Sequence, residues 1–140
     1  MIHIMILQDG KEKKGLNSLF SKLKSRGYDL TFHENPDVDS NNFKEYLNDL
    51  EPQDYIICIG STVNKGLKVL QNKLRSIEAA FFLINDNIDF EGKIKAKKVF
   101  IYGNEHAKSV GIALDVEPFI DEDLEVLIEE LLIDIISLEH

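Results

Sequence analysis

A chain of 140 residues with 44% hydrophobic and 29% charged residues is long enough for one globular domain with a buried core. Its net charge of -9 argues against nucleic acid as a partner, because phosphate binding needs a positive face. No apolar run reaches the roughly 18 residues that a membrane-spanning helix needs. One cysteine excludes an internal disulfide and, with no signal-peptide pattern at the N-terminus, favours a cytoplasmic protein.

The first third of the chain alternates between apolar strands and amphipathic helices. Residues 2–7 are nearly all apolar, as in an interior strand, and the helix that follows ends at Gly27. Residues 28–33 alternate between apolar and polar side chains, which is typical of an edge strand with one solvated face. The next loop supplies Asp39, Ser40 or Asn41 as the cap of a second helix.

Residues 54–74 combine the strongest strand pattern with the clearest helix start. Residues 55–59 form a continuous apolar run, as expected for a strand covered on both faces. Gly60 breaks the run, and Ser61 or Thr62 can cap a helix whose apolar residues recur at helical spacing. The pattern predicts a central strand that leads into a helix, with the rest of the chain packed around this unit.

Two further apolar strands are predicted at residues 79–84 and 99–102. A short helix over residues 104–111 and a brief extended piece come next. The last helix covers residues 121–137, with Asp121 as its cap and acids in its first turn, where they suit the helix dipole.

Alternating strands and helices build a parallel sheet with helices on both faces. Since the second strand has a polar face and the first and third look interior, we expect a flavodoxin-like three-layer α/β/α sandwich. Its parallel five-stranded sheet has the order 2-1-3-4-5. Residues 1–137 form a single α/β domain in this interpretation, and residues 138–140, Leu-Glu-His, look like the remnant of a purification tag.

No motif assigns an activity. Residues 10–15 have the two glycines of a Walker A loop, but Leu16 and Asn17 stand where its lysine and hydroxyl belong. The element order resembles that of Toll/interleukin-receptor-like domains, yet residues 65–73 contain no acid for the catalytic glutamate that the enzymes of that family need. No metal site is predicted, because no two histidines have ligand spacing, and no cofactor is indicated.

In a 2-1-3-4-5 sheet the crevice opens at the carboxyl ends of strands one and three. A glycine, hydroxyls and the free N–H groups of a helix start can hold an anion there, although the same residues also form ordinary caps and turns. The candidate ligand-binding residues are Asp9, Gly10, Gly60, Ser61, Thr62, Lys65, Asn85 and Asn104.

The last helix is apolar on more than one side. Val126 and Ile133 point away from its main apolar face, which predicts either a homodimer contact or a sheet-covering helix with two spare apolar residues. Residues 121–134 also contain seven acids and no base. A basic patch from Lys11 to Arg26 lies elsewhere in the chain, and a solvated helix face is its ordinary interpretation.

Two functions fit these patterns. The first is a non-catalytic module of regulatory or signalling type that binds a partner or a small anionic ligand. The second is a small enzyme acting on a phosphorylated or nucleotide-type substrate, with Asp9 or His106 as the base and the amides of residues 60–62 holding the anion. The lack of a recognisable catalytic set favours the binding module.

Overall fold

The computed structural model of the protein describes residues 2–8, 16–34, 37, 40–50, 52–60, 80–84, 97–103, 117 and 119–139. The strands are β1 (His3–Gln8), β2 (Asp29–Glu34), β3 (Tyr55–Ile59), β4 (Ala80–Ile84), β5 (Lys98–Tyr102) and β6 (Phe119–Asp121). The helices are α1 (Leu16–Ser25), α2 (Asn41–Asn48) and α3 (Leu124–Leu138). Within these ranges, no helix has the length and apolar character to cross a membrane.

The six strands form one sheet in the order β2-β1-β3-β4-β5-β6, and every pair of neighbours is parallel. The α/β class is confirmed, as are the order of the first five strands and the edge position of β2. The prediction of five strands was wrong. The sixth strand pairs Ile120 with Ile101, and its three residues are too few for strand alternation to be visible in the sequence.

The helix ends follow local capping rules. Gly27, with a φ of 77°, terminates α1 in the left-handed conformation that favours glycine. The Ser40 hydroxyl accepts a hydrogen bond of 3.1 Å from the backbone N–H of Phe43 and so caps α2. The prediction that Asp121 caps the last helix was wrong, because Asp121 belongs to β6. The N-cap is Asp123, whose side chain accepts a hydrogen bond from the backbone N–H of Glu125.

The central strand β3 is buried at all five positions, so both faces of the sheet are covered there. Helices α1 and α3 pack against one face, where they bury Ile4, Ile6, Tyr55, Ile57 and Phe100 of the sheet. The alternating residues of the same strands point to the other face. That second face meets α2, whose Phe43 and Tyr46 rings contact His33 of β2.

Candidate functional site

The carboxyl ends of β1 and β3 lie side by side. Gln8, the last residue of β1, is paired with Ile59, the last residue of β3. The strand order reverses at this point, since β2 lies on one side of β1 and β3 on the other. The prediction that residues 55–59 lie mid-sheet beside the first strand is confirmed. In open parallel sheets, this switch point is where ligands bind.

The carboxyl rim runs straight across the sheet. Through the ladder pairings, Gln8, Ile59, Ile84 and Tyr102 are successive lateral neighbours. Six of the predicted binding positions come one or two residues after these strand ends in the chain. The chain therefore leaves all four strands at the same edge of the sheet, as a shared site requires.

Gly60 begins the turn that follows β3. Its φ of 76° lies in the left-handed region, which a residue with a Cβ adopts only with strain. This conformation redirects the chain immediately after the strand. Gly60 is the one predicted binding residue that falls within the described ranges; Asp9, Gly10, Ser61, Thr62, Lys65, Asn85 and Asn104 lie outside them.

Gln8 is a rim residue that sequence reasoning did not select. Gln8 is only 7% exposed, and its side chain points to the same face of the sheet as that of Ile6. An uncharged amide at the switch point can both donate and accept hydrogen bonds. The available signal was that Gln8 directly follows a run of four apolar residues, so a polar side chain stands at the end of a strand predicted to be interior.

Acids occupy both borders of the described rim. Glu34 is paired with Gln8 on one side, and Asp121 is paired with Tyr102 on the other. Glu34 is only one strand spacing, about 5 Å, from β1. An anion held between β1 and β3 therefore needs backbone N–H groups and a cation to offset this carboxylate.

His33 lies one residue before the rim on β2, beside Leu7. The rings of Phe43 and Tyr46 meet its imidazole edge-to-face, with centroids 5.8 and 5.0 Å away. Its Nε2 atom is buried and has no hydrogen-bond partner among the residues that the structure describes. Burial among these groups lowers the pKa of His33, so the imidazole is neutral at pH 7.

Cys58 lies in the interior of β3 and is fully buried. Burial in apolar surroundings raises the pKa of its thiol to about 12. A protonated thiol without access to solvent is not a nucleophile. Cys58 is a core residue, as its position in an apolar run predicts.

The opposite, amino edge of the sheet consists of polar groups that bind each other. The backbone N–H of His3 donates to the Asp54 carboxylate at 2.8 Å, and the Asp54 N–H donates to the His3 carbonyl at 2.9 Å. The His3 Nδ1 atom is 2.7 Å from an Asp29 carboxylate oxygen. These contacts join β1 to the starts of β2 and β3, so His3 has a structural role far from the carboxyl rim.

Helix α3 is joined to the sheet by a polar cluster at the same amino edge. The Tyr55 hydroxyl donates to one carboxylate oxygen of Asp134, and the Lys98 ammonium contacts the other. Burial is the largest cause that raises the pKa of Tyr55, and the hydrogen bond to Asp134 is the next largest. The cluster therefore holds a neutral phenol and orients α3 on the sheet.

Across the residues that the structure describes, no group of three or more His, Cys, Asp or Glu side chains is arranged to hold a metal ion. Comparison with protein-family models, with curated proteins and with solved structures gives no match.

Proposed function

We propose that the protein is a cytoplasmic, non-catalytic binding module of flavodoxin-like fold that holds a small anionic ligand at the carboxyl ends of β1 and β3. Its role is regulatory or of the signalling type. The observation that carries this proposal is the pairing of Gln8 with Ile59 at the point where the strand order reverses.

The local chemistry beyond this point suits an anion. Gly60 turns the chain in the left-handed conformation, and Ser61 and Thr62 follow it directly. Hydroxyls and backbone N–H groups after such a turn donate hydrogen bonds to phosphate or carboxylate oxygens. We assign the cation that this site needs to Lys65, which comes five residues after Gly60 in the chain. The Gln8 side chain adds an uncharged group that can orient the ligand.

The described reactive side chains near the rim favour binding over catalysis. Cys58 is buried as a thiol, and the imidazole of His33 faces two aromatic rings. Neither side chain presents an activated nucleophile or a poised acid to the crevice. The alternative is an enzyme that uses Asp9 or His106 as its base. A direct assay of this alternative measures turnover of a nucleotide or a sugar phosphate by the protein.

A thermal-shift screen tests the proposed site. We expect one member of a panel of inorganic phosphate, nucleotides and sugar phosphates to raise the melting temperature at constant ionic strength. A ligand present at a hundred times its Kd stabilises the fold by about 2.7 kcal/mol. The shift should disappear in the double variant Ser61→Ala, Lys65→Ala.

The matched control is Lys44→Ala, which removes an exposed lysine on α2 that is not among the predicted binding residues. This variant should retain the full ligand-induced shift. A panel without any stabilising anion, or a shift that survives the Ser61→Ala, Lys65→Ala substitutions, would contradict the site. Turnover of the stabilising ligand would favour the enzyme.

A partner surface is also expected on α3. Val126 and Ile133 are 37% and 60% exposed, so both apolar side chains that the sequence placed away from the core reach solvent. The homodimer through these residues stays a prediction. Its difficulty is electrostatic, because a second copy would bring the same acidic helix surface with it.

A further inference from the structure

A groove of about 460 Å³ lies between β5, β6 and α3. Its apolar lining comes from Val99, Phe100, Phe119 and Ile133, and Glu130 lines it from the helix. The groove involves the amino half of β5 and the second half of α3. It is therefore separate from the crevice at the carboxyl ends of β1 and β3.

The groove exposes large apolar side chains. Phe119 is 39% exposed and Ile133 is 60% exposed, although both lie next to a well-packed core. The Phe119 ring rests beside Phe100, with centroids 6.2 Å apart, so the core continues without interruption into the groove. Apolar side chains that cluster at one concave surface are characteristic of interaction sites.

Helix α3 extends this surface beyond the groove itself. Val126, Glu130, Ile133 and Ser137 are spaced four, three and four residues apart, so they form one stripe along the helix. The stripe alternates exposed apolar side chains with an acid and a hydroxyl. A partner that lies along α3 would meet Val126 and Ile133 two helical turns apart.

The charged side chains that line this surface are mostly acidic. Helix α3 contains four acids and neither lysine nor arginine. Lys98 lines the groove, but its ammonium is already bound to Asp134. Among the described residues that line the groove, Glu117 and Glu130 have no cation paired with them.

A second copy of the chain fits this charge poorly. A two-fold contact centred on Ile133 brings together two copies of a helix that has four acids and neither lysine nor arginine, and like charges across an interface are unfavourable. A cationic partner, in contrast, gains from Glu117 and Glu130 while its apolar side chains cover Phe119 and Ile133. The negative charge around the groove therefore favours a cationic partner over a second copy of the chain.

We propose that the groove between β5, β6 and α3 docks a basic amphipathic helical segment of a partner protein. Its apolar side chains at helical spacing insert between Phe119 and Ile133. Its lysines and arginines face Glu117 and Glu130. The mode is that of an amphipathic helix in an apolar groove, with orientation and association rate set by charge.

The test uses a synthetic peptide as the probe. A fluorescein-labelled peptide of about 16 residues, ~24 Å long as a helix, carries leucines at helical spacing on one side and lysines and arginines on the other. Fluorescence anisotropy measures its Kd for the whole protein at low and at moderate salt. The control peptide has the same composition in scrambled order, so its charge is equal and its apolar stripe is lost.

Two groove variants separate the apolar and the electrostatic contributions. Ile133→Ser should weaken binding about tenfold at both salt concentrations, as expected for a central apolar anchor. The double variant Glu117→Lys, Glu130→Lys should weaken binding mainly at low salt, because added ions screen exposed charges. Glu45→Lys, an exposed charge reversal on α2, is the matched control and should change Kd less than about twofold.

Circular dichroism and thermal melting establish that each variant is folded before its Kd is compared. Binding of the amphipathic peptide, loss in the groove variants and retention in Glu45→Lys would support the proposal. Equal binding of the scrambled peptide, no binding, or equal loss in Glu45→Lys would overturn it. Concentration-dependent dimerisation that disappears in Ile133→Ser would also overturn it, since a second copy then occupies the groove.

Discussion

The two faces of the sheet treat buried polar groups differently. On the face covered by α1 and α3, the Tyr55 hydroxyl is bound to Asp134, which also contacts Lys98. On the face covered by α2, the Nε2 atom of His33 is buried without a hydrogen-bond partner in the described part of the chain. On the first face, the hydrogen-bond partner of the buried hydroxyl comes from α3, which is distant in the sequence. On the second face, the imidazole of His33 is in contact with the aromatic rings of Phe43 and Tyr46.

This difference determines how each face responds to change. A hydrogen-bonded buried group stabilises the fold, and its removal leaves the partner partly unsatisfied. An unpartnered buried imidazole instead opposes folding whenever the solution favours its charged form. The face with α3 should therefore lose stability when a side chain of its core or of this polar cluster is truncated. The face with α2 should tolerate an apolar substitution of His33. Acidification should lower the stability of the fold through this residue.

Truncation in the core of the α3 face has the largest expected effect. Leu131 is fully buried on α3, and Leu131→Ala should lower the free energy of unfolding by about 2–5 kcal/mol through lost burial and the cavity left behind. Urea denaturation measures this loss. Ile133→Ala, two residues along the same helix but 60% exposed, is the control and should cost under about 0.5 kcal/mol. Similar losses in both variants would show that α3 packs differently.

Removal of the Tyr55 hydroxyl has the next largest effect. Tyr55→Phe keeps the ring in the core and deletes the hydrogen bond to Asp134, which should cost about 1–3 kcal/mol because the acceptor is charged. Tyr28→Phe removes a hydroxyl that binds Glu139 at the surface, and it should cost under about 0.5 kcal/mol. An unchanged urea midpoint in Tyr55→Phe would mean that the cluster does not hold α3 on the sheet.

His33→Phe has the smallest expected effect at neutral pH and acts mainly on the pH dependence. Burial lowers the pKa of His33 below its usual 6.5, so the unfolded chain binds this proton more readily than the folded one. The native state is then fully favoured above about pH 6.5 and loses stability as the pH falls from there through the lowered pKa.

The substitution removes this titration and fills the site between Phe43 and Tyr46 with a third apolar ring. We expect stability at pH 8 to stay within about 1 kcal/mol of the wild type. The variant should lose less stability than the wild type between pH 6.5 and pH 5 in urea denaturation. Parallel pH profiles of the two proteins would assign the acid sensitivity to other groups.

Local patterns were sufficient for much of the fold. The apolar run at residues 55–59 identified a strand covered on both faces, and the polar alternation of residues 28–33 identified the edge. Gly27 as a helix end was also predicted, and Ser40 was one of the three predicted caps. Each of these features depends on side chains within a few residues of one another, which is the range that sequence periodicity reports.

Other features depend on residues that are distant in the chain. The three residues of β6 form a strand because β5 supplies their hydrogen bonds, and no local pattern records that pairing. The groove likewise exists only because Phe119 and Ile133, on separate elements, reach the same surface. The sequence identified Ile133 as a spare apolar residue without indicating its neighbours.

By itself, the sequence determined the first five strands, the three described helices, the buried central strand and the acidic character of the last helix, because local residue patterns reflect burial and charge. Only the tertiary structure decided that Gln8 ends beside Ile59, that Asp134 meets both Tyr55 and Lys98, and that acids surround an apolar groove. These are contacts between elements separated by tens of residues. They are fixed when the sheet assembles and its register brings the distant side chains together.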